Sequence, residues 1–453
     1  MRLLSAFIQA HRALRVAVVF YHRCSPGITM TSVRITVKPD RSSLFDRPVN
    51  LKVEGLRPRE TVTLQSTLTD EKGELFEARA RYQADEEGHL DLASSPALGG
   101  DYSGVEPMGF IWALKPRSLY GRLVKRDVSK PFRVDVEVRA GWQNHSLGPL
   151  LATCALKRHF IAQGVRRVTV REGRVRGTLF LPAGDGPFPG IIDLGGTAGG
   201  LLEHRASLLA SHGFAAMALA YFGFEDLPAM MSEFHLEYFE EALRYLQGIP
   251  QVKKSGIGVM GLSKGADLAL SMATFLHGIS AVVSVSGCNS NSIAPLHYKG
   301  VVVPGLGMSL DQARADEFGV LDFSDCYEDP RENRNQACVV PIERSSAHFL
   351  FVVAEDDQNW KSSFYAQEAV KRLNMHGRAP PELLSLPGAG HLLEPPYFPH
   401  CRSSFHKIVG APLLWGGECQ AHAVAQEKAW KKISHFFQEN LNEDEWQDPK
   451  SKL

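Results

Sequence analysis

The chain has 453 residues, with 50 basic and 50 acidic side chains and a formal net charge of zero. This balance argues against a nucleic-acid-binding protein that relies on a strongly basic overall charge. A hydrophobic share of 44% and a charged share of 22% are typical of a globular protein, and the length predicts two domains.

The two ends of the chain predict two different destinations. Arg2, Arg12 and Arg15 precede the first acidic residue, Asp40, and on a helix they lie opposite a leucine-rich face, as in a mitochondrial presequence. At the other end, Ser451-Lys452-Leu453 is the tripeptide that the peroxisomal import receptor reads. We rank the peroxisome first and keep mitochondrial import through residues 1–29 as the alternative. The possible leader spans residues 1–30, and initiation at Met30 would reconcile the two destinations, because it removes residues 1–29 and keeps the tripeptide.

Neither membrane insertion nor a disulfide framework is expected. No apolar stretch reaches the roughly 20 residues of a membrane-spanning helix. The seven cysteines are an odd number, widely scattered, and include no C-x-x-C pair. This pattern favours free thiols in a reducing compartment.

Residues 31–165 predict an all-β, immunoglobulin-like sandwich domain. Short runs of alternating apolar residues are separated by turn-rich segments, and the sandwich follows from several such strands at this spacing. The clearest runs are Ser32–Val37, Val49–Val53, Thr61–Thr67 and Phe132–Val138. Residues 163–167 mark the expected crossing into the next domain.

Residues 166–445 predict a second domain with a mostly parallel, doubly wound sheet, followed by a tail of residues 446–453. Strands here alternate with helices, which indicates α/β architecture. Predicted strands are 174–181, 190–194, 214–221, 257–260, 281–285, 349–353 and 382–386, and predicted helices are 201–212, 232–246, 362–375 and 421–441. The irregular stretch 295–344 is expected either to cover a site or to form an ordinary surface excursion.

Ser263 is the candidate nucleophile. It stands in Gly261-Leu262-Ser263-Lys264-Gly265, a G-x-S-x-G pattern between a predicted strand and a predicted helix. That context is typical of a nucleophile elbow, a sharp turn that exposes the serine hydroxyl. The two glycines are needed because side chains two residues either side of the serine would collide in the turn.

An acid and a base follow later strands. Glu355, Asp356 and Asp357 come after the strand 349–353, and His391 comes after the strand 382–386. Catalytic groups of such sheets collect at the carboxyl ends of the strands. The order Ser, Asp, His is that of the α/β-hydrolase triad. Of the three acids we prefer Asp357, which lies one residue further into its loop than Asp356.

Two backbone amides are expected to form an oxyanion hole. One is the amide of Lys264, directly after the nucleophile, and the other comes from the glycine-rich turn after residues 190–194. Gly196 and Thr197 are the candidate donors in that turn. A phosphate-binding loop is the rival reading, but the turn lacks the Lys-Ser/Thr pair and the spacing of known phosphate loops.

From about Val33 onward the chain resembles the type I acyl-CoA thioesterases and the related bile acid-CoA:amino acid N-acyltransferases. The segments that carry the resemblance are Pro96–Gly100, Pro107–Gly109, Gly173–Pro182, His235–Ala242, Glu394–Tyr397 and Trp415–Glu418. The resemblance implies a β-sandwich before an α/β-hydrolase domain, with a triad of Ser263, Asp357 and His391. It also implies acyl-CoA as substrate, with no cofactor and no metal.

The nucleophile narrows the reaction that this resemblance implies. Conjugating members of the family carry cysteine, whereas the thioesterases carry serine, and an ester of Ser263 favours attack by water. Transfer of the acyl group to glycine or taurine remains the alternative. Ala266-Asp267 and Gly195 depart from the family pattern near the nucleophile. The sequence does not show the preferred acyl-chain length, the residues that contact the CoA phosphates or the oligomeric state. Two other functions stay open: hydrolysis of a simple ester or peptide, and a role as an interaction protein.

Overall fold

The structure, a computed structural model, describes residues 32–142 and 148–441. The predicted leader, the alternative start at Met30 and the tail with its Ser451-Lys452-Leu453 tripeptide lie outside the described residues. From Val33 onward the described chain belongs to one compact unit.

The N-terminal part is all β apart from one short helix. Its elements are β1 (Arg34–Lys38), β2 (Ser42–Leu44), β3 (Asn50–Glu54), β4 (Thr61–Thr69), β5 (Leu75–Gln83), β6 (Leu90–Asp91), β7 (Gly99–Gly100), α1 (Gly109–Trp112), β8 (Lys115–Pro116), β9 (Phe132–Ala140) and β10 (Leu150–His159). One sheet has the order β1-β3-β6, and the other has the order β2-β10-β9-β4-β5-β7, with β8 also on β5. The long central pairs are antiparallel. Fully buried residues alternate with less buried ones along β5 and β9, as period-two patterning requires of strands with one buried face.

The rest of the described chain is α/β. Its elements are β11 (Arg166–Val170), β12 (Arg176–Leu181), β13 (Phe188–Leu194), α2 (His204–Ser211), β14 (Ala215–Ala220), β15 (Phe234–His235), α3 (Leu236–Gly248), β16 (Val252–Leu262), α4 (Lys264–Phe275), β17 (Ile279–Val285), β18 (Leu296–Tyr298), β19 (Val301–Val303), β20 (Arg314–Ala315), β21 (Leu321–Asp322), β22 (His348–Ala354), α5 (Ser362–Met375), β23 (Glu382–Leu386), β24 (Ser403–His406), β25 (Ala411–Leu414) and α6 (Cys419–Leu441). Short 3₁₀ helices occupy Leu310–Gln312, Asn333–Cys338 and Ile342–Arg344.

The main sheet has the strand order β11-β12-β14-β13-β16-β17-β22-β23. The pairs β11/β12 and β12/β14 are antiparallel, and every later pair is parallel. A doubly wound sheet of this kind, with a G-x-S-x-G turn at the end of a central strand, is the α/β-hydrolase fold. The predicted fold class is therefore confirmed. The predicted domain boundary at residue 165 stays a prediction; β10 ends at His159 and β11 begins at Arg166.

Alternate residues of the central strands pack on opposite faces of this sheet. Met260 and Val283 belong to a core shared with α2, α6 and the N-terminal sheets, whereas Val259 and Val282 face α3, α4 and α5. Both faces are covered, which explains why these strands read as continuous apolar runs. Because one core reaches from the N-terminal sheets to the main sheet, the two parts pack as a single body.

One predicted element differs from the structure, and two further expectations can be compared with it. The helix predicted at 232–246 begins only at Leu236, because Phe234–His235 pairs as a strand with Leu296–His297. The expected crossing at 163–167 overlaps a strand, β11, which extends the sheet by antiparallel pairing to β12. The stretch 295–344 does not line the cavity at Ser263. Some of its side chains pack around Trp360, with Tyr327 in edge contact, and others, Phe323 and Cys326, pack in the cluster of Trp415.

The carboxyl ends of the parallel strands meet at one edge of the sheet, where ligands of such folds bind. Ser263 follows β16, and the glycine-rich turn 195–200 follows β13. Asp357 follows β22, and His391 follows β23. Among the described residues, no helix combines the length and the apolar character needed to cross a bilayer.

Candidate active site

Ser263 occupies a strained turn between β16 and α4. Its backbone has φ 58° and ψ −125°, a conformation that non-glycine residues rarely adopt. A Cβ at Gly261 would strike the backbone of Gly265, and a Cβ at Gly265 would strike the carbonyls of Leu194 and Gly195. The two glycines of the motif are therefore required by close approach of backbone, as the sequence predicts.

His391 and Asp357 form a buried hydrogen-bonded pair. Nδ1 of His391 lies 2.8 Å from Oδ2 of Asp357. The other carboxylate oxygen, Oδ1, accepts hydrogen bonds from the backbone amides of Asn359 at 2.9 Å and Trp360 at 3.2 Å. An Nδ1–H donated to the carboxylate leaves Nε2 unprotonated, which is the tautomer that a general base needs.

The neighbouring acids point elsewhere. Asp356 accepts hydrogen bonds from the side chain of Gln358 at 2.7 Å and from the backbone amide of Gly417 at 2.8 Å. Glu355 accepts from the hydroxyl of Ser385 at 2.6 Å. Of the three acids that the sequence offers, only Asp357 contacts His391 in the described structure.

Two tryptophans fix the plane of the His391 ring. The ring of Trp415 stacks on the imidazole at 5.7 Å between centroids, with 17° between the planes. Trp360 meets the imidazole edge to face at 5.6 Å, and its indole N–H donates to the carbonyl of Ser286 at 2.8 Å. The imidazole therefore has little rotational freedom.

Asn359 is a site residue that the sequence analysis missed. Its amide nitrogen lies 3.4 Å from Nε2 of His391. The Asn359 amide can donate to the unprotonated Nε2, so it contacts the nitrogen that would receive the serine proton. Its position two residues after Asp357 was the available signal, since that spacing forms a turn in which the aspartate accepts the later backbone amide.

The glycine-rich turn after β13 lies against the nucleophile. A Cβ built on Gly196 would lie 3.0 Å from Cβ and 3.4 Å from Oγ of Ser263. The hydroxyl of Tyr221 donates to the carbonyl of Gly195 at 2.6 Å and holds the turn in place. Within the described part of the chain, the amides of Gly196, Thr197 and Lys264 have no hydrogen-bond acceptor. All three can donate to an oxygen that develops negative charge beside Ser263.

Behind the elbow, Lys264 and Asp267 form a fully buried ion pair. Their Nζ and Oδ1 atoms lie 2.9 Å apart, and Nζ also donates to Oδ1 of Asn291 at 2.9 Å and to the carbonyl of Ser292 at 2.7 Å. Burial lowers the pKa of Lys264 and raises that of Asp267, and the charge of each partner opposes the shift of the other. Asp267, which departs from the family pattern, thus anchors the segment after β17 and does not line the cavity.

Ser263 and His391 line one cavity of about 460 Å³. Its walls come from both parts of the chain. Arg122 belongs to the N-terminal part and Glu394 to the loop after β23, and their side chains pair at 2.7 Å. Burial alone would raise the pKa of Glu394. The charge and hydrogen bond of His204 and the charge of Arg122 outweigh burial, and they hold the pKa of Glu394 far below its usual range. A carboxylate that stays ionised joins the two halves of the site.

The hydroxyl of Thr197 contacts a second histidine at the cavity wall. Its Oγ1 lies 2.9 Å from Nε2 of His406. Burial, assisted by the charge of Arg122, lowers the pKa of His406, so its ring is neutral near neutral pH. Within residues 32–142 and 148–441, no three His, Cys, Asp or Glu side chains are grouped so that they could hold a metal ion.

Two family models match the chain. The one described as "BAAT / Acyl-CoA thioester hydrolase C terminal" matches residues 234–443. The one described as "Acyl-CoA thioester hydrolase/BAAT N-terminal region" matches residues 46–172. Together they cover most of the chain and both parts of the fold.

Individual proteins are similar over most of their length. "Acyl-coenzyme A thioesterase 5" of Mus musculus is 52% identical over 415 residues, which are 92% of this chain and 98% of the relative. "Acyl-coenzyme A thioesterase 2, mitochondrial" of Homo sapiens is 51% identical over 407 residues, 90% of this chain and 84% of the relative. A solved alpha/beta hydrolase from Penicillium is 15% identical over 61% of this chain and 99% of its own. Its TM-score of 0.39 adds nothing to the fold read from the strand order.

Proposed function

The chain belongs to the BAAT and acyl-CoA thioester hydrolase family, and from that premise we propose that it is an acyl-coenzyme A thioesterase. The reaction is hydrolysis of a fatty acyl-CoA to the free fatty acid and CoA. The relatives at 51% and 52% identity carry the name acyl-coenzyme A thioesterase, which supports this choice of substrate.

Acylation uses Ser263 and His391. Oγ of Ser263 attacks the thioester carbonyl while Nε2 of His391 takes the hydroxyl proton. The carbonyl oxygen becomes negatively charged, and the amides of Lys264 and of Gly196 or Thr197 stabilise it. When the C–S bond breaks, the imidazolium returns its proton to the sulfur, and CoA leaves as the thiol.

Deacylation repeats these steps with water. Nε2 of His391 takes a proton from a water molecule, whose oxygen attacks the acyl-serine ester. Collapse of the second tetrahedral intermediate breaks the ester bond and returns the proton to Oγ of Ser263. The products are the free fatty acid and the starting enzyme, and Asp357 stabilises the imidazolium in both halves of the reaction.

One observation carries the assignment of the three residues. The buried 2.8 Å contact of His391 with Asp357 belongs to a histidine that lines the same cavity as the strained Ser263. Three residues 94 and 34 positions apart in sequence (357 − 263 and 391 − 357) meet at one edge of the sheet. That convergence is what acyl transfer through a serine requires.

The alternative acceptor is an amine. The description of the matching family model also names BAAT, the acyltransferase branch of the family. Glycine or taurine therefore remains the alternative to water as acceptor of the acyl group. The test is a panel of acyl-CoA substrates of different chain lengths, with CoA release and acyl products measured with and without glycine or taurine. We expect free acid in all cases. Amide as the main product would replace the thioesterase assignment with an acyltransferase one.

Targeting is a separate proposal that rests on the sequence alone. We expect the chain that starts at Met30 to enter peroxisomes through Ser451-Lys452-Leu453, and the full chain to enter mitochondria in part through residues 1–29. Imaging of both forms, with and without the last three residues, tests this. Peroxisomal import that survives loss of the tripeptide would contradict it.

A further inference from the structure

The cavity at Ser263 is lined by far more cations than anions. Its lining includes five Lys or Arg side chains but a single carboxylate, that of Glu394. The five cations are Lys72, Arg122, Arg126, Arg205 and Lys407. The whole chain has equal numbers of basic and acidic residues, so the excess is a local property of this cavity. A cavity of one charge sign attracts ligands of the opposite sign.

Two of the five cations are already neutralised. Arg122 pairs with Glu394 at 2.7 Å, and Arg205 pairs with the buried Asp193 at 2.9 Å. Among the described residues no carboxylate pairs with Lys72 or Lys407 (no such contact within 4.0 Å), and both are exposed. Arg126 has one carboxylate partner, at 3.4 Å, and 37% of its side chain is exposed. Three cations therefore remain available to a ligand.

These three cations are at the mouth of the cavity, whereas the nucleophile is inside. Lys72, Arg126 and Lys407 are exposed residues, but Ser263 is 5% exposed. A ligand that reaches from the mouth to the serine must place its anionic groups at one end and its reacting group at the other. CoA has this form, because the pantetheine arm separates the thioester from the diphosphate and the 3′-phosphate.

The N-terminal part holds two of the cations in a rigid setting. Lys72 lies in the turn between β4 and β5, where Oδ1 of Asp70 accepts the amides of Lys72 at 2.7 Å and Glu74 at 2.9 Å. Glu71 in the same turn binds the segment between β8 and β9. Its carboxylate pairs with Lys125 and accepts the amide of Arg126 at 2.9 Å. Ordering these backbone segments in advance lowers the entropy cost of binding.

We propose that Lys72, Arg126 and Lys407 bind the phosphate groups of the CoA moiety, which makes the β-sandwich part of the substrate site. This inference rests on the proposed thioesterase function, because it takes acyl-CoA as the ligand. Lysine contributes a point charge to a phosphate, and arginine contributes two parallel N–H donors. The catalytic groups come from turns and loops that follow strands of the main sheet, and the N-terminal part supplies two of the three phosphate-binding cations.

Direct binding provides the first test. Calorimetry with the wild-type protein compares free CoA with pantetheine, which lacks the phosphates. We expect CoA to bind more tightly, and Lys72→Gln, Arg126→Gln and Lys407→Gln each to weaken CoA binding by up to about fivefold. The triple variant should lose roughly 30-fold or more, since separate contacts add. Added salt should weaken CoA binding to the wild type more than to the triple variant.

The matched control is Lys431→Gln. Lys431 is an exposed lysine on α6 that does not line the cavity, and its loss should leave CoA binding unchanged. Pantetheine binding should be the same in the wild type and in the three single variants. CoA affinity that stays at the wild-type value in the triple variant would overturn the inference.

Kinetics separates this inference from the proposed function. For the triple variant we expect a higher KM for acyl-CoA with kcat little changed, because a contact common to ground and transition states is removed. We also expect kcat/KM for acyl-CoA, divided by kcat/KM for acyl-pantetheine, to be lower than in the wild type. If the wild type binds CoA through these residues but hydrolyses no acyl-CoA, the proposed function fails and the phosphate site stands. If it hydrolyses acyl-CoA and acyl-pantetheine with equal kcat/KM, the phosphate site is wrong and the function stands.

Discussion

At the scale of single residues, the candidate site is built around a histidine whose two ring nitrogens have different partners. Asp357 holds Nδ1 of His391, and Trp415 and Trp360 pack on its ring. Nε2 is left facing Asn359. This arrangement assigns different functions to two adjacent aspartates, because Asp357 contacts the imidazole and Asp356 contacts the backbone of Gly417.

The first prediction compares these two aspartates. Asp357→Asn should lower kcat by roughly 10³- to 10⁴-fold, because an amide cannot hold the required tautomer or stabilise the imidazolium. Asp356→Asn should lower kcat by less than about tenfold, since its partners are a side-chain amide and a backbone amide. Steady-state release of CoA at saturating acyl-CoA measures both, with Ser263→Ala and His391→Ala as references for loss of the triad. Equal losses in the two aspartate variants would contradict the assignment of Asp357.

The second prediction concerns the glycine beside the nucleophile. Gly196→Ala should lower kcat by roughly 10²-fold, because the new methyl group would lie 3.4 Å from Oγ of Ser263 and displace the oxyanion turn. The neighbouring Gly195→Ala is the matched control. Its methyl group would meet only the end of the flexible Leu202 side chain, at 3.2 Å. Steady-state kinetics measures kcat of both variants. A higher kcat for Gly196→Ala than for Gly195→Ala would contradict the oxyanion assignment.

At the scale of elements, the loops that carry the acid and the base are held from outside the main sheet. The backbone amide of His391 donates a hydrogen bond of 2.8 Å to the carbonyl of Trp415, in the segment after β25. Helix α6 contributes His422, whose Nδ1 accepts the amide of Gly390 at 3.1 Å and whose Nε2 contacts the carbonyl of Leu392 at 3.2 Å. The backbone on both sides of His391 is thus fixed by a residue of the last described helix.

The third prediction tests this helix contact. His422→Ala should lower the free energy of unfolding by about 1–3 kcal/mol, because the buried amide of Gly390 loses its acceptor. It should also lower kcat, since His391 is then less well positioned. His435→Ala, at an exposed position of the same helix, should change neither quantity. Urea unfolding and acyl-CoA turnover of the two variants give the comparison.

The same residue gives a pH dependence with a definite sign. Burial, reinforced by the charge of His400, lowers the pKa of His422 from 6.5 to about 3. The unfolded chain therefore binds the proton more readily than the folded chain. The stability that neutral His422 contributes is complete above its unfolded pKa of 6.5 and is lost as the pH falls towards about 3. The difference in unfolding free energy between wild type and His422→Ala should accordingly shrink between about pH 7.5 and about pH 5. A difference that grows on acidification would contradict it.

At the scale of the whole molecule, the two parts share one hydrophobic core. Phe398, in the loop after β23, packs on Phe45 at 4.6 Å and on Phe160 at 5.9 Å between ring centroids. The indole N–H of Trp430 on α6 donates to Asp46 at 2.9 Å. An interface of this kind couples the stability of the sandwich to that of the hydrolase sheet, and it holds the two walls of the cavity together.

The fourth prediction follows from that core. The described chain should unfold in one cooperative transition, and Phe398→Ala should lower its free energy of unfolding by about 3–5 kcal/mol. Phe318→Ala is the control, because that ring is 70% exposed; its cost should stay below about 0.5 kcal/mol. Hydrogen exchange at increasing urea should show peptides of β9 and β17 losing protection together. Separate transitions for the two strands would contradict a shared core.

Element types and several bounds could be predicted from the sequence, because they depend on local patterns. The helix Ser362–Met375 and the strand Glu382–Leu386 have the predicted bounds. The helix predicted from residue 232 was wrong at its start, where Phe234–His235 pairs with a strand about 60 residues later in the chain. Helical periodicity is a local signal, and it was overridden there by a pairing that no local pattern reveals.

The sequence by itself determined the chemistry that is available: a serine in a G-x-S-x-G turn, acids after one strand, a histidine after the next, and an order that matches a hydrolase triad. Tertiary structure decided which of these groups meet. Asp356 and Asp357 are neighbours in an acidic run, and their roles separate because the turn directs one carboxylate at His391 and the other at Gly417. The contacts of Asn359, Trp415 and His422 with His391 and its neighbours were decided only by the fold, because a side chain's partners depend on packing between elements distant in sequence. The cations at the cavity mouth share that cause, since Lys72 and Arg126 come from the N-terminal part and Lys407 comes from the turn after β24.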